Sequence, residues 1–306
     1  MHLEAIAITL VTSPSEMAFD LAPGPLKRAI VDSVSTNVKS AAIHALSACT
    51  FYGGASPEGT LEIMDFLLEI ISSDGHTISA PDEADPVVAA LEEWGFLCTL
   101  IEDMSEQSQD SIDVFVEQLD SAEVTVQIAA AENIALLYEK SFKEYDPEED
   151  TLADYQADDV LSTSEETASA PKLLRLYPAY RRTDRLLQML ESITASNTLS
   201  VHHMSKRERK ELKTNLNDVA NSIEFPHRGP KYSNAINNEN GGHRYGSRMK
   251  VKIHSVGFMP IDRWWHLHRL NGLRRVLQGG FVDHYEKNEV VFETLPILIE
   301  RKKGGK

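Results

Sequence analysis

Eleven histidines and two cysteines are the side chains of this chain most able to hold a metal or carry a nucleophile, and their spacing favours neither role. His266 and His268 stand two apart on a predicted helix and so point to different faces. His202, His203, His254 and His284 are dispersed, and Cys49 and Cys98 lie far from all of them in sequence. Zinc needs convergent ligands, so no metal is expected. There is no Gly-x-x-x-x-Gly-Lys-Ser/Thr phosphate loop, no Gly-x-Ser-x-Gly elbow, no His-Glu-x-x-His pair and no calcium loop. The chain is therefore expected not to be an enzyme, with no cofactor and no small-molecule substrate.

The side chains left with chemistry to offer are cations. Lys206, Arg207, Arg209 and Lys210 crowd the first two turns of a predicted helix, where they oppose the positive end of its dipole by ~0.3–1 kcal/mol each at a surface. An external polyanion or an acidic neighbour would offset that placement. Arg228, Lys231, Arg244 and Arg248 are interleaved with Tyr232 and Tyr245 in a Pro- and Gly-rich stretch, a pattern compatible with phosphate contact and base stacking on RNA. Arg263, Arg269, Arg274 and Arg275 flank a leucine stripe further on and could meet phosphates or carboxylates.

The charge balance frames these candidates. The 306 residues carry 47 acids and 30 Lys plus Arg, a net charge of -17, which argues against nucleic acid if taken as a whole. Residues 1–200 hold 36 of the acids and 10 of the bases, whereas residues 201–306 hold 11 acids and 20 bases. The two parts prefer different partners. The absence of Cys-x-x-Cys and Asn-x-Ser/Thr patterns, and an apolar start far shorter than the ~20 residues of a membrane span, lead to the expectation of a cytoplasmic and/or nuclear protein without membrane contact.

The elements that would position the cations are helices. The segment Val38–Cys49 recurs as Val126–Leu137, with Ala89–Leu97 in the same register between them; Ala41, Ala89 and Ala129 correspond at spacings of 48 and 40. That approximates the ~40–47 residue period of armadillo and HEAT repeats. Paired alanines let neighbouring helices approach closely while large aliphatics fill the groove between them. Glu58–Ile71 and Ser111–Leu119 read as partner helices, and no strand is expected in this half. From Glu144 to Pro171 the pattern breaks into an acidic, Ser/Thr-rich stretch that predicts a mobile insert. Lys172–Leu199 resumes helical character. Ser205–Glu224 opens with a Ser205/Glu208 capping box and aligns Leu212, Leu216, Val219 and Ile223. Met249–His254 alternates as a strand that could pair with Val290–Phe292, and Trp264 starts a helix stopped by Gly279-Gly280.

The run Ile261-Asp262-Arg263-Trp264, then Leu273 through Gly280, then His284-Tyr285-Glu286-Lys287-Asn288-Glu289 and Val291-Phe292-Glu293, resembles the C-terminal domain of the interferon-related developmental regulator family. Ala45-Leu46 to Phe51-Tyr52-Gly53-Gly54, Glu93-Trp94-Gly95-Phe96-Leu97 and Gln127 to Glu132 are similar to that family's armadillo-like region. Ala131 stands where the family usually has glycine, and the chain begins where the family's helical region is already under way. Because Leu3–Val11 leaves few polar positions, an upstream neighbour or self-association is expected to cover that first helix. The resemblance implies a structural motif of Ile261, Asp262, Trp264, Leu277, Gly280, His284, Asn288 and Phe292. It also implies a non-catalytic regulator of gene expression, acting on ribosomes or through corepressor complexes.

The expected fold is mainly α: armadillo/HEAT-like repeats over 1–143, an acidic mobile insert over 144–171, and the helical end of the solenoid over 172–200. A basic capped helix follows over 201–224, a flexible basic loop over 225–248, the C-terminal domain with a short two-stranded β element over 249–298, and a basic tail over 299–306. The first expectation for partners is the ribosome or ribosomal RNA, met by Lys206, Arg207, Arg209, Lys210, Arg244, Arg248, Arg274 and Arg275, with residues 201–306 binding RNA and residues 1–200 not. The alternative is a coregulator whose solenoid groove holds a corepressor or transcription-factor peptide.

Overall fold

A computed structural model of the chain describes residues 2–146, 148, 159–161, 172–195, 205–232, 236–237, 243–244, 249–253 and 257–301. The first half is helical throughout: α1 (His2–Thr12), α2 (Ala18–Leu21), α3 (Pro23–Asp32), α4 (Thr36–Tyr52), α5 (Pro57–Ser72), α6 (Ala84–Cys98), α7 (Ser108–Gln118) and α8 (Val124–Lys140). Then come α9 (Thr183–Ala195) and α10 (Lys206–Glu224), and in the C-terminal part α11 (Trp264–Leu277), α12 (Phe281–Lys287) and α13 (Glu289–Thr294).

These helices stack in two layers. α1, α4, α6, α8 and α10 pack side by side in that order, while α3, α5, α7 and α9 each back the helix that follows them as α4, α6, α8 and α10. This is the expected α-solenoid. The reason lies in the recurring alanines: Ala42, Ala45, Ala90, Ala130, Ala131 and Ala135 are fully buried, so the helix backbones approach closely and Leu46, Leu91, Ile134 and Leu136 fill the space between them. Ala131, where a glycine was expected by resemblance, is accommodated in that contact without exposure. Lys39, a cation on the inner face of α4, is also fully buried. Its Nζ donates to the carbonyls of Ile30, Val31 and Ile78 at 2.7, 3.0 and 2.6 Å, tying α3 and the turn after α5 to α4 with all three donors used.

The solenoid does not end before residue 201. α10 lies against α8 as the next helix of the same layer, with Asn215 Nδ2 donating to Glu132 Oε1 at 2.8 Å. The basic capped helix and the residues before it thus form a fourth repeat rather than separate parts. Of the helix expected over Lys172–Leu199, only Thr183–Ala195 is helical among the described residues; Leu173–Arg175 is instead a strand, β3, between β1 (Phe142–Glu144) and β2 (Val160–Leu161) in a small antiparallel sheet. Leu173 and Leu174 are buried on both sides of the strand, a continuous apolar pair that suits either element in isolation. Most of the acidic stretch 144–171 lies outside the described residues.

A second correction concerns the β element of the C-terminal part. β6 (Met249–Ile253) pairs with β7 (Gly257–Ile261) as a hairpin, and β8 (Glu300–Arg301) adds to the other edge of β7. Val290–Phe292 belongs to α13, because the Asn288 side chain accepts from the Val290 N–H at 3.0 Å and starts a helix there. β4 (Ile236–Asn237) and β5 (His243–Arg244) form a separate two-stranded pairing. The stop of α11 also differs from expectation: Gln278, with φ 46°, takes the left-handed turn, and Gly279 and Gly280 continue as a 3-10 turn into α12.

Gly95 marks where α6, α8 and α11 converge, since a Cβ there would fall 2.2 Å from Asn133 Oδ1 and 2.4 Å from the His268 ring. Gly95→Ala is expected to lower stability by roughly 1–3 kcal/mol in urea unfolding, as overpacking does. Gly24→Ala, where the added Cβ meets nothing within 4 Å, should leave stability unchanged or raise it by up to ~1 kcal/mol.

Candidate functional site

Two surfaces compete for a functional role: the basic start of α10 and the face of the solenoid layer. Ser205 caps α10 as expected, its Oγ accepting from the Glu208 N–H at 3.2 Å while Glu208 Oε2 accepts from the Ser205 N–H at 2.7 Å. The Ser205 backbone N–H, and after it the Ser205 hydroxyl, hold the Glu208 carboxyl below the usual carboxylate range. The helix N-terminus is thereby capped by its own chain. Lys206, Arg207, Arg209 and Lys210 are all exposed, and Leu212, Leu216, Val219 and Ile223 turn the opposite side of the helix into the core. Asn215 beside Glu132, and Ser222 and Glu139 both holding Trp264, show that α10 runs parallel to α8. The four cations therefore sit at one edge of the layer, on a helix anchored along its length.

The solenoid face is occupied by α11, which lies across α6, α8 and α1. Its first turn is capped from outside: Glu139 Oε2 and Oε1 accept from the Trp264 and Trp265 N–H groups at 2.8 and 3.0 Å. Trp264 is 1% exposed, and its indole Nε1 donates to Ser222 Oγ at 2.7 Å, so it belongs to the core. Arg269 donates to Thr99 Oγ1, the Thr99 carbonyl and the Thr294 carbonyl at 3.0 to 3.1 Å, with the Phe51 and Trp265 rings at 5.5 and 5.0 Å from its guanidinium carbon. Gly272 admits the Phe96 ring, which would stand 2.8 Å from a Cβ there.

At the far end of α11, Arg275 Nε and Nη2 both donate to Glu93 Oε1, at 3.0 and 2.8 Å, and Nη1 lies 3.3 Å from Glu92 Oε2. His44 Nδ1 donates to the same Glu93 oxygen at 2.7 Å. Burial pushes the Glu93 carboxyl up, but Arg275 and His44 outweigh it and bring it down to about 2. Arg275 is thus committed to the interior and presents no free guanidinium to a phosphate, contrary to the expectation for it. Arg274, one residue earlier, is exposed, with its guanidinium carbon 5.8 Å from the Phe281 ring centroid.

The loop after α10 also departs from expectation. Over Phe225–Tyr232 it is packed rather than open: Arg228 is 9% exposed and lies between the Phe225 and Tyr232 rings, at 3.7 and 4.5 Å. Gly229 abuts the Asp262 carbonyl, 1.9 Å from where a Cβ would be. The backbone of Arg244 falls in β5, and Arg248 lies outside the described residues.

The family motif residues are structural in this arrangement. Ile261, Trp264 and Leu277 are buried; Asp262 Oδ1 accepts from His266 Nδ1 at 2.9 Å. Gly280 borders the His284 ring, the His284 carbonyl accepts from the Asn288 N–H at 2.7 Å, and Phe292 packs beside Tyr285 with ring centroids 5.7 Å apart. A cleft of about 450 Å³ opens beside the start of α11, lined by Thr99, Glu139, Lys140, Phe142, Glu144, Arg263, Trp265 and Arg269. Arg263 pairs with Glu144 across it, and Arg269 and Glu139 are bound as described, so its polar wall is largely a seam between solenoid and C-terminal part. Among the described residues no three His, Cys, Asp or Glu side chains gather as a metal site, and no helix is long and apolar enough to cross a membrane.

These features define an α-solenoid whose face is covered by its own C-terminal helix and whose last repeat carries a cationic edge. The chain belongs to the interferon-related developmental regulator family, whose family model matches residues 2–224, and this membership places it among regulatory proteins. It is also similar to an uncharacterized protein of Schizosaccharomyces pombe, 26% identical over 260 residues that cover 85% of this chain and 51% of the relative. The chain thus spans about half the length of the curated relative it matches. The C-terminal motif lies beyond the segment that the family model matches.

The buried charges yield two expectations. Arg275→Leu leaves Glu93, whose side chain is 5% exposed, without its cation, and should lower stability by about 3 kcal/mol or more in urea unfolding, while Arg274→Leu should change it by less than ~1 kcal/mol. Glu132 is the second: burial pushes its carboxyl up to about 7, against the Asn215 hydrogen bond. A carboxyl that keeps its proton better folded than unfolded stabilises the fold most below about 4.5, and that contribution is lost as pH rises through 7. Glu132→Gln should therefore match the wild type in melting temperature near the acid end of that window and exceed it above the upper end.

Proposed function

We propose that the protein is a non-catalytic regulator of gene expression that associates with the ribosome through ribosomal RNA and acts on translation. The observation that carries this reading is the exposed cluster of Lys206, Arg207, Arg209 and Lys210 on a helix built into an otherwise acidic solenoid. Four cations held at one edge meet a polyanion without the ordering cost that a mobile tail would incur. Surrounding acidity opposes indiscriminate adsorption to nucleic acid, so binding depends on how the RNA and its proteins are shaped around this edge. Arg274 is the other exposed cation among the expected contacts in the C-terminal part with a described side chain.

The coregulator reading needed an open groove for a peptide. α11 fills that face, with Trp264 and Arg275 inserted at its two ends, so a peptide there would have to displace a helix held by buried hydrogen bonds and ion pairs. That observation favours the ribosomal reading.

The test is sedimentation of cell extract on a sucrose gradient, using the full chain because α10 and α11 fold against the solenoid. Wild-type protein should travel with ribosomal particles at low salt and return to the top after nuclease or high salt. A variant with Lys206, Arg207, Arg209 and Lys210 all changed to Glu should remain at the top in every condition. Its melting temperature should not fall, since acids suit the first turns of a helix better than cations do. Co-sedimentation that persists in this variant would remove α10 from the contact.

A further inference from the structure

The line of cations on α10 extends past the cluster already named. On a helix, positions separated by four and three residues share a face, so Lys206, Lys210 and Lys213 form one row, continued by Asn217; all four are exposed. The row runs along the helix axis with steps of about 6 and 4.5 Å. It faces away from the buried stripe of Leu212, Leu216, Val219 and Ile223.

What surrounds the row limits the kind of RNA it suits. Proteins that hold unpaired strands add aromatic platforms on which bases stack. α10 carries no aromatic residue anywhere in its length. Of the rings that follow it, Tyr232 is 7% exposed, and Phe225, 37% exposed, has the Arg228 guanidinium stacked over its ring, at the opposite end of the helix from Lys206. At the helix start the N–H groups of Ser205 and Glu208 are engaged by the Ser205/Glu208 box. A straight row of lysines on a packed helix that carries no stacking group of its own is suited to the regularly spaced phosphates along one strand of a helix, where the bases are turned inward.

Resting on the RNA reading above, we infer that Lys206, Lys210 and Lys213 form a backbone-reading strip for double-helical RNA, and that the RNA element met by α10 is a duplex stem rather than an unpaired strand. Contact is with phosphates and is indifferent to base sequence. Arg207 points off the row and contributes less to this contact.

The experiment is fluorescence anisotropy of the full chain with a labelled 16-base-pair RNA duplex and with each of its separated strands, prepared so that they do not fold, over a range of KCl concentrations. The duplex should bind at least several-fold more tightly than either strand. Its log affinity should fall against log salt with a slope of about −2.7 from the row alone, at ~0.9 per neutralised phosphate. Lys206→Gln, Lys210→Gln and Lys213→Gln combined should flatten that slope by about that amount, whereas Arg207→Gln alone should flatten it by less than about half of one phosphate's ~0.9. A duplex of shuffled sequence should bind equally. Tighter binding of a single strand, or an unchanged duplex slope in the triple variant, would overturn the duplex strip while leaving RNA binding intact. Failure of all the RNAs to bind would overturn the RNA reading along with it.

Discussion

One buried carboxylate holds the architecture together. Glu93 on α6 receives His44 from α4 and Arg275 from α11 on the same oxygen, so two neighbouring solenoid helices and the C-terminal helix share a single charge. An ionised side chain that far from water is tolerated only while its partners stay in place. The consequence is that α11 cannot lift without exposing or stranding that charge. Around this point the interface is built from close neutral contacts, Phe96 against Gly272, His268 beside Gly95 and Trp264 with Ser222, with Arg269 and the Arg263–Glu144 pair toward the other end of α11. His268 is kept neutral there, burial pulling its imidazole down to about 4.

This anchoring changes what kind of scaffold the solenoid is. Repeat proteins commonly present a long face to their partners. Here the face serves as the seat of an internal helix, and the free surfaces are the edges and the backing layer. Exposed cations then matter by position more than by number. Arg269 and Arg275 are spent on carbonyls, a hydroxyl and carboxylates inside, Arg228 on two aromatic rings, and Arg263 on Glu144. The start of α10 retains its cations at the surface, and its packing against α8 makes them a fixed feature of the last repeat.

Much of this was readable from residue order. Alanine pairs recurring at two repeat-like spacings led to the solenoid because close helix packing needs small residues at defined places on each turn. The Ser205/Glu208 box placed the start of α10, since capping depends on residues three apart. The weaker readings involve short segments. Leu173–Leu174 and Val290–Val291 are apolar pairs that fit strand or helix equally well, and only the neighbours with which they pair distinguish the two. Gly279-Gly280 predicts the turn after α11 because glycine adopts a positive φ most easily, whereas the chain makes that turn one residue earlier, at Gln278.

Residue order alone sets the helical repeats, the segregation of acid from base, the capped basic helix and the family, because periodicity, composition and capping are properties of residues near one another in the chain. Which cations stay at the surface is settled only by the packing of distant segments. Arg275 and Lys206 look alike as positive residues on amphipathic helices, yet one meets a glutamate 182 positions earlier and is withdrawn, while the other faces solvent. Whether a charge is free depends on what folds over it, and that is set by contacts between distant segments that no local pattern records.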